Sequence, residues 1–246
     1  MNNYIIADLR RILIRIPLLI AEVCLLGFLL IVILVTYNGD WNSVSFIANI
    51  RTLLQFMVVF MGLVMVIAVF ADDFKTKTMQ VAIGIGISRA KVILSKYIEI
   101  MVLTFINLFV MIILAFVMGG IFHANLIGEQ VWELLGIFFV TWLSVISYTG
   151  LTMILIFYTQ TVGLSGFVYL ILSSGLVSFG IDRIFDIPAL SSSHINMMTL
   201  RNVLSSFETY LAVGDFRLKL FLGILVYMLS GYLISVLVFR NRELEF

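Results

Sequence analysis

Six continuous apolar runs constrain this chain more than any other feature, because each is about as long as a lipid bilayer is thick. They fall near 17–37, 50–71, 97–118, 131–157, 162–180 and 218–239 of a 246-residue chain. A helix rising 1.5 Å per residue needs about 20 residues to cross a hydrocarbon core of about 30 Å. Inside hydrocarbon every backbone N–H and C=O must be paired, which leaves helices or closed barrels. The runs are unbroken rather than alternating at period two, so they predict helices and exclude a β-barrel. The expected fold is a single all-α integral membrane domain over 1–246 with six transmembrane helices.

Composition agrees. Apolar residues make up 62% of the chain and charged residues 12%, against about 45–50% and 25% in soluble domains. That excess excludes a soluble enzyme, a disordered chain and a disulfide-stapled secreted domain. A net charge of +1 argues against nucleic acid as a partner. The single cysteine, Cys24, rules out a disulfide within the chain.

Lysine and arginine set the expected orientation. With the N-terminus inside, Arg10, Arg11, Arg15, Lys75, Lys77, Arg89, Lys91, Lys96, Arg240 and Arg242 are cytoplasmic. Arg51, Arg183, Arg201, Arg217 and Lys219 are outside. Both termini are therefore expected in the cytoplasm. The start, Met-Asn-Asn-Tyr, has no basic n-region and does not read as a cleavable signal.

Residues 2–16 predict an amphipathic helix lying on the membrane. Ile5, Ile6, Leu9, Ile12, Leu13 and Ile16 share one side, while Asp8, Arg11 and Arg15 share the wet one. Pro17 ends it and suits the first turn of span one. It reads as a plain topology anchor or as an elbow leaning on a cytoplasmic partner.

The inner loop after span two, 72–97, has internal punctuation. Asp72 and Asp73 close the span and Phe74 follows. Thr76 or Thr78 can cap a short apolar helix containing Met79, Val81, Ala82 and Ile83. Gly84 and Gly86 break it, and Ser88 can cap the next helix. Arg89 and Lys91 then oppose that helix's dipole, so an anionic neighbour is expected: lipid phosphates or an acidic groove on a partner.

This stretch resembles the first cytoplasmic loop of type-2 ABC exporter permeases, especially small permeases of low-GC Gram-positive bacteria. Those show an acid after span two, a short Thr-containing helix, a Gly-x-Ser-Arg turn and a lysine early in span three. The counterparts are Asp72 or Asp73, Thr78-Met79-Gln80, Gly86-Ile87-Ser88-Arg89 and Lys96. The elbow, six spans, inner termini and a long outer loop before span six match as well. Lys77 departs from a common glycine, and Asp stands where the family often has Glu.

The resemblance implies a cytoplasmic coupling helix and an export role in the bacterial cell membrane. Met79, Val81, Ala82 and Ile83 would pack into a cleft on an ATP-binding subunit, with Arg89 and Lys91 pairing to acids around it. Asp72, Asp73, Phe74, Thr78 and Ser88 would complete the coupling set. The implied assembly is two permeases, identical or sister, with two copies of an ABC ATP-binding subunit, in contact with membrane lipid. The implied cargo is hydrophobic or amphipathic: an antimicrobial or toxin peptide, a drug or a lipid-like molecule. The chain has no Gly-x-x-x-x-Gly-Lys-Ser/Thr loop. It is therefore expected to bind no cofactor and to hydrolyse nothing, with ATP and Mg on the partner subunit. The other reading is a non-transporting sensor or immunity protein that sequesters a peptide. An intramembrane enzyme would need paired acids or a Ser–His pair at membrane depth, and none is evident.

Within the spans, ionisable groups are functional candidates. Glu99 lies three residues after Lys96 and predicts an intrahelical pair. Glu22 has no such neighbour and is a candidate for a wet vestibule or an interface. Span four carries Thr141, Ser144, Ser147, Tyr148, Thr149 and Thr152, and span five carries Ser173 and Ser174. These suit close helix packing, with Ser144, Tyr148 and Ser174 as alternative pathway residues. His123 and His194 are too far apart to suggest a metal site. In the outer loop 181–217, led in by Ser191-Ser192-Ser193, a second amphipathic helix is expected at the outer interface. It presents Leu200, Val203, Leu204, Phe207, Tyr210 and Leu211 on one face, and Phe207 and Tyr210 are candidates for an outer gate. Trp41 and Trp132 fit interface positions.

Overall fold

A computed structural model describes residues 2–37, 42–76, 78–185 and 198–240. Trp41, Lys77, the Ser191–Ser193 lead-in, His194 and Arg242 lie outside the described residues. Ten helices are described: α1 (Asn2–Leu13), α2 (Ile16–Thr36), α3 (Ser43–Lys75), α4 (Thr78–Gly84), α5 (Arg89–Ile121), α6 (Gly128–Thr159), α7 (Val162–Ser173), α8 (Leu176–Phe185), α9 (Leu200–Ala212) and α10 (Leu218–Arg240). Five of them, α2, α3, α5, α6 and α10, are long and apolar enough to cross a membrane. A sixth crossing exists if α7 and α8, bent by 52°, count as one. The protein is thus an all-helical, multi-pass membrane protein.

Three helices overrun the expected spans. At 33, 33 and 32 residues, α3, α5 and α6 approach 50 Å at 1.5 Å per residue. Their apolar runs are shorter than the helices, whose backbones continue past them into polar, structured ends. The fifth run is the opposite case. The sequence reads as one span over 162–180, whereas the helix breaks at Ser174–Gly175. Gly175 has φ +81°, a backbone region costly for any residue with a Cβ.

The core is built around α6, which packs against α3, α5, α7, α9 and α10. Its polar side chains explain how a helix rich in hydroxyls can be central. Thr141, Ser144, Ser147, Thr149 and Thr152 are all buried. Each donates to the carbonyl four residues earlier at 2.7–2.8 Å. No donor is left for an interface to satisfy, and the small side chains permit close approach. At the α6–α10 crossing, a Cβ on Gly231 would stand 2.6 Å from the Gly150 carbonyl carbon, so backbone meets backbone there.

Candidate functional site

The two amphipathic helices are where the structure departs most from the sequence reading. In α1, Ile5, Asp8 and Ile12 are buried, while Ile6 and Leu13 are exposed. The side expected to be wet, carrying Asp8, Arg11 and Arg15, is turned onto the protein. In α9, Leu200, Val203, Leu204 and Phe207 are buried against α6 and α10. That face therefore packs on helices of the chain itself.

The reason for the inward turn of α1 is a buried charge cluster. Lys96, at the start of α5, is wholly buried, as is Glu99. The Lys96 ammonium contacts Asp8 of α1, Asp73 of α3 and Glu99, the last at 3.1 Å. Arg11 bridges Asp8 and also reaches Asp73, the latter at 2.7 Å. Thr78, the first residue of α4, donates to Asp73 at 2.7 Å. Arg15 pairs with Asp72 at 2.7 Å. Burial works against the charge on Arg11, but its bonds to Asp73 and Asp8 outweigh that and hold its pKa above the usual arginine value. Four elements, α1, α3, α4 and α5, therefore meet on one set of charges. The Lys96–Glu99 pair is the part that the sequence predicts.

The short helix α4 is an adaptor between α3 and α5. Met79 and Ala82 are buried against the chain's own core. Val81 and Ile85 are 63% and 77% exposed, while Ile83 is half-buried. Of the four residues expected to enter a partner's cleft, only Val81 thus faces fully outward. Thr76 closes α3 by bonding to Asp72 and does not start α4. Ser88 makes no side-chain cap on α5. Arg89 reaches the end of α10, donating to the carbonyls of Phe239 and Arg240 at 2.7 and 3.0 Å. It also lies over the Phe239 ring. A cation on a helix's terminal carbonyls is favourable, so Arg89 has an internal role where an acid of a partner was expected. Lys91 is exposed, and Phe74 stacks near Phe70.

At the other end, α9 is strapped across the molecule. Arg51 of α3 donates to Glu208 of α9 and to Glu133 of α6, each at 2.8 Å. Burial raises the pKa of Glu208 above the usual glutamate value, against the pull of Arg51. At the opposite end of α9, Arg201 reaches the Gly175 carbonyl at the α7–α8 break, and Asn202 reaches Asp182 of α8. Of the two gate candidates, Phe207 is buried, while Tyr210 is exposed with Arg217 over its ring at 4.3 Å. Between α3 and α7, the elements that α9 ties together, an open apolar groove of about 410 Å³ is lined by Leu63, Ile67, Val162, Gly163, Gly166 and Phe167.

The pathway candidates do not converge. Ser144 and Tyr148 are buried in α6, with Ser144 bonded to its own helix. Ser174 is exposed at the α7–α8 break and bonds to Ile171. Glu22 is half-buried and faces Asn107 of α5. Among the described residues no group of three or more His, Cys, Asp or Glu could hold a metal. Sequence reasoning missed Asp8, Arg51, Thr104 and Asn107. The first two read as surface charges, and the last two are isolated polar residues in an apolar run.

No protein-family model and no curated protein matches the chain. The fold and this geometry define the class, a multi-pass helical membrane protein with charge clusters at both ends of its bundle.

Proposed function

We propose that the chain is the membrane-spanning subunit of a type-2 ABC exporter, moving a hydrophobic or amphipathic cargo with energy from a separate ATP-binding subunit. The observation that carries this reading is α4. It is a short helix between two long spans, with Val81, and Ile85 just past its end, projecting outward and its first residue bonded to Asp73. A push on α4 would reach α1, α3 and α5 together, because Asp73 contacts Arg11 and Lys96 as well. That is the linkage a membrane subunit without its own ATPase requires.

In this reading α7 and α8 form a sixth, broken span. The termini and α4 are cytoplasmic, α1 is an elbow at the inner surface of a bacterial cell membrane, and two such chains form the pathway. The α3–α7 groove, apolar and opened by two glycines, suits an apolar cargo. The test is a mild-detergent pull-down of tagged chain from its native membrane with mass spectrometry. A near-stoichiometric ATP-binding subunit that is lost in Val81→Asp supports the reading. A well-folded chain that brings none, even after crosslinking, refutes it and turns attention to a stand-alone peptide-binding protein.

A further inference from the structure

Arg89 is the first residue of α5, where a cation opposes its own helix's dipole by about 0.3–1 kcal/mol. The end of α10 explains its presence there. Phe239 and Arg240 close α10, so their carbonyls have no partner within that helix. Both accept from the Arg89 guanidinium, at 2.7 and 3.0 Å. The same guanidinium lies 5.4 Å from the centre of the Phe239 ring. A bond also runs the other way, from the Tyr232 hydroxyl of α10 to the Ala90 carbonyl of α5 at 3.4 Å. The first turn of α5 and the end of α10 are thus fastened from both sides.

Each side of this fastening leads further. On the α10 side, the Phe239 ring packs on Phe157 of α6 at 4.9 Å, and Phe157 meets Phe70 of α3 edge-on at 5.8 Å. All three rings are at most 2% exposed, and a close-packed interior transmits strain. On the α5 side stands α4. Only residues 85–88 separate the two helices, and that turn is closed by its own backbone. Ile85 donates to Val81, Gly86 to Ile83 and Ile87 to Ala82, at 2.9–3.1 Å. Gly86 supplies the φ of +95° that the turn needs. A displacement of α4 therefore displaces Arg89.

We propose that Arg89 is a positioning residue that makes α10 a second output of α4. The Lys96 cluster carries a movement of α4 to α1, α3 and α5. Arg89 carries it to the end of α10, and through the Phe239 and Phe157 rings to the central helix α6. The proposal rests on the export reading, in which α4 is the element that the ATP-binding subunit moves.

The experiment is a double-mutant cycle on the full chain in phosphatidylcholine nanodiscs, read by hydrogen exchange with mass spectrometry. Met79→Ala loosens the seat of α4, since Met79 is buried against the core. Besides its effect on α4, it should speed exchange in the last turn of α10 by about twofold or more. Arg89→Ala should speed that turn about tenfold, the size expected for two lost bonds. In the double variant Met79→Ala should add nothing at α10, because the link is already cut. Arg89→Lys keeps a donor for the carbonyls and should restore most of the response. An α10 turn indifferent to Met79→Ala, or the same added effect with and without Arg89, overturns the proposal and leaves Arg89 a passive cap. Thr78→Val, which frees the first residue of α4 from Asp73, repeats the cycle if Met79→Ala is polydisperse. In the complex recovered by pull-down, ATP with vanadate should alter exchange at the end of α10 in wild type and not in Arg89→Ala. A coupled cycle without an ATP-binding subunit refutes the exporter and leaves the link, and a subunit with an additive cycle does the reverse.

Discussion

Replacing Lys96 by methionine tests the charge cluster most directly. The side chain is wholly buried and its ammonium is the common contact of Asp8, Asp73 and Glu99. Methionine fills similar volume, so a cavity contributes little and the electrostatic loss dominates. In the variant three buried carboxylates share one guanidinium, that of Arg11, which is itself a third exposed. Removing one partner of a buried ion pair costs about 3–5 kcal/mol. In a chain of this size each kcal/mol moves Tm by about 2–4 °C. Lys96→Met should therefore lower Tm by about 6–20 °C in a detergent melt followed by tryptophan fluorescence. The cluster holds three acids against two bases, so Glu99→Gln alone should be nearly neutral. Added to Lys96→Met, it should recover a substantial part of the loss. A Lys96→Met protein melting within about 2 °C of wild type, or a double variant no better than the single, would refute the reasoning.

Other perturbations follow from the same geometry. Gly231→Ala puts a Cβ 2.6 Å from the Gly150 backbone and should cost about 1–3 kcal/mol of overpacking. Gly150→Ala meets the Tyr97 side chain, its hydroxyl oxygen at 3.1 Å, and should cost less, and paired melts will rank them. Arg51→Gln should loosen α9 by about 1 kcal/mol, a discounted value because Arg51 is a third exposed. Faster labelling of a cysteine placed at Phe207 would report it. Glu208 is an acid whose folded pKa lies above its ordinary 4.5. Its contribution to docking α9 is therefore largest below pH 4.5 and falls as pH rises through the folded value. The same label, followed against pH, should react more slowly on the acid side. Arg89→Ala removes two bonds to the end of α10 and should raise hydrogen exchange there without changing the core.

The apolar runs made the helical bundle legible, because hydrocarbon length is a simple physical demand. Helix ends were less so. Nothing in a hydropathy run says that α3 continues to Lys75, since polar ends lie outside the bilayer, whereas the start of α5 at Arg89 was legible from Ser88 and the glycines before it. The helical wheel grouped Asp8 with Arg11 and Arg15, but a wheel says which side chains share a face and not what that face meets. Lys96, eighty-eight residues on, supplies that answer. The break at Gly175 was hidden among serines that read as packing residues, and Arg201, which reaches into it, looked like part of a solvated face. In α4, the apolar side chains of Met79, Val81, Ala82 and Ile83 cannot all face one way, and only packing shows that Met79 and Ala82 turn inward.

The Lys96 cluster also sets an order of biogenesis. Every residue in it lies within the first 99 positions, and two of the acids that Lys96 needs, Asp8 and Asp73, leave the ribosome before it does. A lone ammonium at the head of α5 resists entry into lipid. The leading helices therefore have to be in place, with their carboxylates presented, when α5 arrives. The later helix α6, buried along most of its length, then threads into a scaffold that is already electrically closed.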